Sequence, residues 1–146
     1  MSAKDEVYEA SKKFYAGLNR MANGESNSLS DAWSHNKSVT AMHPIGGREV
    51  GWDAVKNSFD QVANVASEGK VELKDQMIYI LGEAAYEVGI EQAKFKIAGQ
   101  EVKGEIRVTN IYHREDGIWK MVHHHTDIAP AMIEVLSQLQ HTSEHA

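Results

Sequence analysis

The 146-residue chain has no cysteine, only two prolines and no run of basic residues. Without cysteine there can be no disulfide, no thiolate nucleophile and no cysteine-ligated zinc. A net charge of −6 without a lysine- or arginine-rich stretch argues against nucleic acid as the main partner, because phosphate binding needs a concentrated basic surface. No apolar stretch approaches the roughly eighteen residues that cross a bilayer, so no membrane association is expected. The opening MSAKDEVYEASKKFY is charged and has no apolar core, which is unlike a secretion signal. These absences lead to the expectation of a soluble, cytoplasmic protein.

What is present is ordinary for a globular domain: 42% apolar and 25% charged residues. The length suits one domain, residues 1–146, with a real core. No internal repeat, linker or low-complexity segment divides it.

Val7, Ala10, Phe14, Leu18 and Met21 recur at spacings of three and four, predicting an amphipathic helix over 4–22 that stops at Asn23-Gly24. Leu29, Ala32 and Trp33 suggest a short helix over 26–33. Val39, Ala41 and His43 alternate with Thr40 and Met42 in a strand ended by Pro44, and the glycines of PIGGREVG mark a turn or loop. Trp52, Val55, Phe59, Val62 and Ala66 share one face of a third helix. Beyond Gly69 the period changes to two, predicting strands over 71–81, 84–97, 105–113 and 118–126. Within 84–97 the apolar parity passes from Tyr86, Val88 and Ile90 to Phe95 and Ile97, which suggests a bulge. On that parity Glu87 and Glu91 point outward, to solvent or a subunit contact. Pro130 can open a last helix. Helices first and long strands afterwards make an α+β domain, with helices packed on one face of a curved antiparallel sheet.

The turn at Asp116-Gly117 aligns the last two strands. Whether it closes as two or four residues, Ile106, Val108, Asn110 and Tyr112 share a face with Trp119, Met121, His123 and His125. The other face carries Glu105, Arg107, Thr109, His113, Lys120 and His124. The first set is expected inward and the second outward, unless a bulge intervenes. Asn110, His123 and His125 on an otherwise apolar face must pair or line a cavity, since an unpartnered buried polar group costs about 1–3 kcal/mol. A cavity is the favoured reading. His-x-His could supply two zinc ligands and His43 a third, but only Asp127 is placed to support them. Neither a metal nor another cofactor is therefore expected.

The stretches AMHPIGG and GWDAVKNSF, with DGIWKMVHHHTD near the end, carry a family likeness. The whole chain resembles the nuclear-transport-factor-2-like superfamily: the cone-shaped α+β fold of ketosteroid isomerases and SnoaL-like cyclases. It lies near the branch of the calcium/calmodulin-dependent kinase association domain, whose last strand carries a Trp and then Val-His-x-His, as do Trp119 and Val122 to His125 here. The resemblance implies a cone with N-terminal helices on its concave face. It also places His43, before Pro44-Ile45-Gly46, where the isomerases have their general base. Their oxyanion tyrosine falls on Phe14, one step from Tyr15, and their second oxyanion acid near Thr109 or Asn110. Steroid isomerisation is therefore not implied. The association domains carry a pocket arginine where this chain has Asn110.

The expected function is binding of a small apolar or aromatic ligand, with acid–base chemistry of isomerase, cyclase or hydratase type. His43 would be the base, His123 or His125 its partner, and Asn110 a donor to a developing oxyanion. Tyr15, Trp33, Trp52, Phe59, Tyr79 and Tyr112 would form the walls. The alternative is a non-catalytic binding or association module. A homodimer is expected across the sheet, through Ile78, Ile80, Phe95 and Ile97.

Overall fold

In the computed structural model, residues 1–145 are described, with side chains through Leu139. Helix α1, Ala3–Met21, begins with a capping box: Asp5 N–H donates to the Ser2 hydroxyl and Ser2 N–H to the Asp5 carboxylate. Its buried stripe is Val7, Ser11, Phe14, Tyr15, Leu18 and Met21. Residues 26–32 form successive turns rather than the expected helix. They still bury Leu29, Ala32 and Trp33 along the anticipated edge.

Strand β1, Thr40–His43, is followed by β2, Gly46–Val50, helix α2, Trp52–Ala63, and four longer strands. These are β3, Ala66–Leu81, β4, Ala84–Ile97, β5, Gln100–Glu115, and β6, Ile118–Thr126. Helix α3, Pro130–His145, closes the chain. The PIGGREVG segment, expected as a turn or loop, turns at Pro44-Ile45 and then supplies a strand. The six strands form one sheet in the order β2-β1-β6-β5-β4-β3, antiparallel except for the parallel pair β1–β6. It is an α+β cone whose curved, unclosed sheet holds the helices on its concave side.

The β5–β6 hairpin closes in two residues. Asp116 (φ 50°) and Gly117 (φ 81°) both take positive φ, as a primed turn requires, and Tyr112 faces Met121. Curvature comes from irregularities in β3, between Ser67 and Lys70 and between Lys74 and Met77. At the first break, the side-chain amide of Asn19 in α1 and that of Asn23 just past its end take over the backbone pairing. Asn23 exchanges two hydrogen bonds with Gly69 (2.9 and 3.2 Å), and Asn19 two with Val71 (3.0 and 2.8 Å).

Strand β4 pairs with β5 without any break, so the bulge expected there is absent. Its odd-numbered residues, from Ala85 through Glu87 and Glu91 to Phe95 and Ile97, face the core throughout. Tyr86, Val88 and Ile90 belong to the outer face instead. Two expectations fall with this. Glu87 and Glu91 are buried, at 0% and 4% exposure, and Ile78, Phe95 and Ile97 are core residues rather than an exposed patch. No helix of the described residues is long and apolar enough to cross a membrane.

Candidate functional site

The bulge that matters for the site lies in β6. Tyr112 pairs with Met121 but Ile111 pairs with His123, leaving Val122 as the extra residue. Here β6 changes its neighbour on the other side. Met121 bridges to Trp33, with Met121 N–H on Ala32 O at 2.9 Å and Ser34 N–H on Met121 O at 3.0 Å, whereas His123 to His125 pair with Thr40 to Met42 of β1. One inserted residue inverts every side chain beyond it. Trp119 and Met121 face inward as expected, but the inward histidine is His124, at 2% exposure. His123 and His125 point outward, where the His123 Nδ1 and the Thr40 hydroxyl share a 2.6 Å hydrogen bond. Among the described residues no three histidine, aspartate or glutamate side chains gather to hold a metal ion.

Inside the cone, a polar network crosses the core. Glu87 is its hub. Its Oε1 accepts from the Tyr112 hydroxyl (2.7 Å) and Asn110 Nδ2 (2.9 Å), and its Oε2 from Gln76 Nε2 (2.6 Å). Asn110 Nδ2 also donates to the Tyr15 hydroxyl at 3.0 Å, which donates onward to Glu91 Oε2 at 2.8 Å. The remaining oxygen of Asn110 lies 2.6 Å from His124 Nδ1. Since an amide oxygen only accepts, His124 carries its proton on Nδ1 and leaves Nε2 as a bare acceptor.

Beside this network is a partly open cavity of about 70 Å³. Leu18, Phe59, Phe95, Ile106, Met132 and Leu136 give it apolar walls, and His43, Ser58, Glu91 and His124 are its polar residues. Among the described residues no lysine or arginine lines it. Such surroundings penalise charge. Burial raises the Glu91 carboxyl to about 7, and the Glu87 charge adds to the rise while the Tyr15 hydrogen bond opposes it. Burial lowers His43 to about 4. His124 is pushed well below the ordinary histidine range by burial, with smaller contributions from His43, His123 and His125. Burial likewise raises the Tyr15 and Tyr112 hydroxyls well above their usual value.

His43 reaches the cavity from the end of β1, with its ring edge-on to Phe59 at 4.7 Å. The Ser58 hydroxyl donates to Val55 O at 2.6 Å, so at 2.7 Å it accepts from His43 Nε2. Nε2 is therefore a donor, and Nδ1 is the basic atom. The histidine opposite His43 is His124, 6.3 Å away between ring centres, rather than His123 or His125.

Of the expected wall residues, Phe59 alone lines the cavity. Trp33 and Trp52 belong to an aromatic cluster with Phe14 and Phe59, and the buried Trp33 indole N–H has no partner. Tyr15 and Tyr112 stand behind the wall in the polar network, and Tyr79 stacks on Tyr86 on the outer face. Asn110 is inward, as the pairing argument required, but its partners are protein groups. Glu91, Ser58 and His124 line the cavity, and sequence reasoning missed them. Parity counted back from Ile97 without a break would have placed Glu91 inside. Nothing local marks the bulge at Val122.

A family profile described as a SnoaL-like domain matches residues 11–131. A search of curated proteins returns no match. Among solved structures, a nuclear-transport-factor-2-like superfamily protein from Salmonella enterica is similar at TM-score 0.76 and 18% identity, over 86% of this chain and 91% of that one. The CaMKII hub of S. rosetta is similar at TM-score 0.70 and 21% identity, over 88% and 98% of the two chains. A nuclear-transport-factor-2-like protein from Cytophaga hutchinsonii gives TM-score 0.69 and 16% identity, over 88% of this chain and all of that one. At these identities the structural likeness establishes the fold, and the profile, spanning most of the sequence, establishes that the chain belongs to the SnoaL-like domain family.

Proposed function

We propose that the cone binds a small apolar molecule and moves a proton on it, in a reaction of isomerase, cyclase or hydratase type. The observation that carries this reading is a buried carboxyl, Glu91, held by the Tyr15 hydroxyl at the wall of a largely apolar cavity, where burial raises it to about 7. Near neutral pH such a group is both a competent acid and a competent base. Glu91 is then the proton carrier. Tyr15 holds its carboxyl in place, His43 offers Nδ1 as a second basic atom across the cavity, and His124 Nε2 anchors the ligand. This keeps His43 in the chemistry but moves the principal role to Glu91, because the His43 Nε2 is already engaged with Ser58. Asn110 acts through His124 and Tyr15 rather than on the ligand.

A ligand screen by thermal shift, followed by turnover assays on hits with Glu91→Gln and His43→Ala, tests the proposal. Loss of turnover in Glu91→Gln with binding retained is the expected result. Unchanged turnover in Glu91→Gln would remove that residue as proton carrier, and unchanged turnover in both variants would leave a binding site without catalysis.

A second reading, association of two copies, is favoured by the outer face of the sheet. Met77 and Tyr79 are 52% and 40% exposed there, next to Tyr86, Val88 and Ile90. Large exposed apolar patches mark interaction surfaces. The two readings are compatible, because the cavity is lined by residues of the sheet's inner face.

A further inference from the structure

Resting on the ligand-pocket reading above, we propose that the cavity selects a neutral ligand bearing a hydroxyl, which donates to His124 Nε2, and that Glu87 is the positioning residue that fixes this preference. The argument begins with Glu87, which does not line the cavity. Its Oε1 accepts from both Tyr112 and Asn110, so the Asn110 amide must turn its NH2 group toward Glu87. The same NH2 group supplies Tyr15, whose hydroxyl then donates to Glu91. Only the Asn110 oxygen remains for His124, and it holds the proton on Nδ1.

His124 is 2% exposed and lines the cavity, and its Nε2 has no hydrogen-bond partner among the described residues. An acceptor without a partner, on a buried side chain that lines a cavity, is a site for a donor. A hydroxyl satisfies it and a hydrocarbon does not. An anion meets a bare lone pair and the Glu91 carboxyl, with no lysine or arginine among the described residues lining the cavity to offset its charge. The volume of about 70 Å³ is smaller than the ~150 Å³ that holds a benzene ring. A ring-sized ligand therefore enters by displacing Met132 and Leu136, and methionine adapts readily to such changes.

The test uses the full chain labelled with ¹⁵N. In the ligand-free protein, long-range ¹H–¹⁵N spectra should place the His124 proton on Nδ1 at neutral pH. A proton on Nε2 overturns the proposal. Phenol, toluene and benzoate, three rings of similar size, are then titrated. Phenol should shift His124 Nε2 and bind about tenfold more tightly than toluene, with benzoate weaker still. Toluene or benzoate matching phenol overturns the selectivity while leaving the pocket reading intact. If none of the three moves any cavity resonance, the pocket reading fails and this inference falls with it. In Glu87→Gln the Asn110 amide is free to turn, so the other His124 tautomer should appear and phenol should bind about tenfold more weakly. A folded Glu87→Gln that keeps both the tautomer and the affinity removes Glu87 as the positioning residue. Should that variant not fold, the tautomer and the probe series in the unaltered protein still decide the main claim.

Discussion

The Tyr15 hydroxyl stands between Asn110 Nδ2 at 3.0 Å and Glu91 Oε2 at 2.8 Å, and so joins the core network to the cavity wall. A single atom from helix α1 thereby connects residues of β5 and β4. Phenylalanine would keep the ring and remove this link. Tyr15→Phe is predicted to lower stability by about 1–3 kcal/mol, because two buried polar groups lose a partner. It should also raise the Glu91 carboxyl further, since the hydrogen bond from Tyr15 lowers it. Urea denaturation measures the first effect and carboxyl ¹³C titration the second. A fall in the Glu91 value would contradict the assigned role.

Gly69 occupies the break in β3 because nothing larger fits. A β-carbon there would lie 2.6 Å from Ala22 O and 2.8 Å from Phe95 Cβ. Both are parts of the core that cannot swing aside. Gly69→Ala should therefore cost about 1–3 kcal/mol by overpacking. It should also weaken the Asn23 latch, visible as faster amide exchange at Gly69 and Val71. A variant as stable as the parent would mean that α1 and β3 separate more easily than their packing implies.

Much of this architecture was legible in the sequence, because helix and strand periods are imposed by burial on one face. The stripe on α1, the alternation of Val39, Ala41 and His43, and the Asp116-Gly117 turn each express a local rule. The site was less legible, for two physical reasons. Val122 is inserted where β6 exchanges Trp33 for β1 as its neighbour, a tertiary event without a local sequence cost, and it reverses the three histidines. In β4 both faces carry apolar residues, so hydrophobicity could not say which side was inside. Tyr86, Val88 and Ile90 drew the assignment outward. Glu87 and Glu91 are tolerated in the core because Gln76, Asn110, Tyr112 and Tyr15 supply their donors, each from 11 or more residues away in the chain. No composition argument contains that pairing.

The outer sheet face gives a separate prediction about assembly. Val88 sits on β4 between Met77 of β3 and Thr109 of β5. The protein should sediment as a dimer at micromolar concentration, and Val88→Lys should shift it to a monomer. A charge in the centre of a buried interface has no partner, whereas on a free surface it changes stability by no more than about 0.5 kcal/mol. A parent chain that sediments as a monomer would remove the dimer, whatever the variant does.

Three perturbed groups of the cavity wall, Glu91 against His43 and His124, give the stability curve opposing slopes. Glu91 titrates near its ordinary value of 4.5 when unfolded and at about 7 when folded. Between these values the folded chain holds a proton that the unfolded chain has released, so its contribution is complete below 4.5 and is lost as pH rises through 7. That loss amounts to about 3 kcal/mol. His43 has the reverse sign, with an ordinary value of 6.5 and a folded value of about 4. The unfolded chain takes up this proton first, so the His43 contribution is complete above 6.5 and is lost as pH falls toward 4. His124, also lowered, acts in the same direction. Glutamine at position 91 can still accept from Tyr15 but carries no titrating proton. The stability of Glu91→Gln relative to the parent should therefore increase by about 3 kcal/mol between pH 4.5 and pH 8, and its own profile should rise up to about pH 6.5 and then level off. Urea denaturation at half-unit pH intervals reads both curves. A stability difference that stays constant with pH would show that Glu91 ionises normally, and the acid–base reading of the cavity would lose its proton carrier.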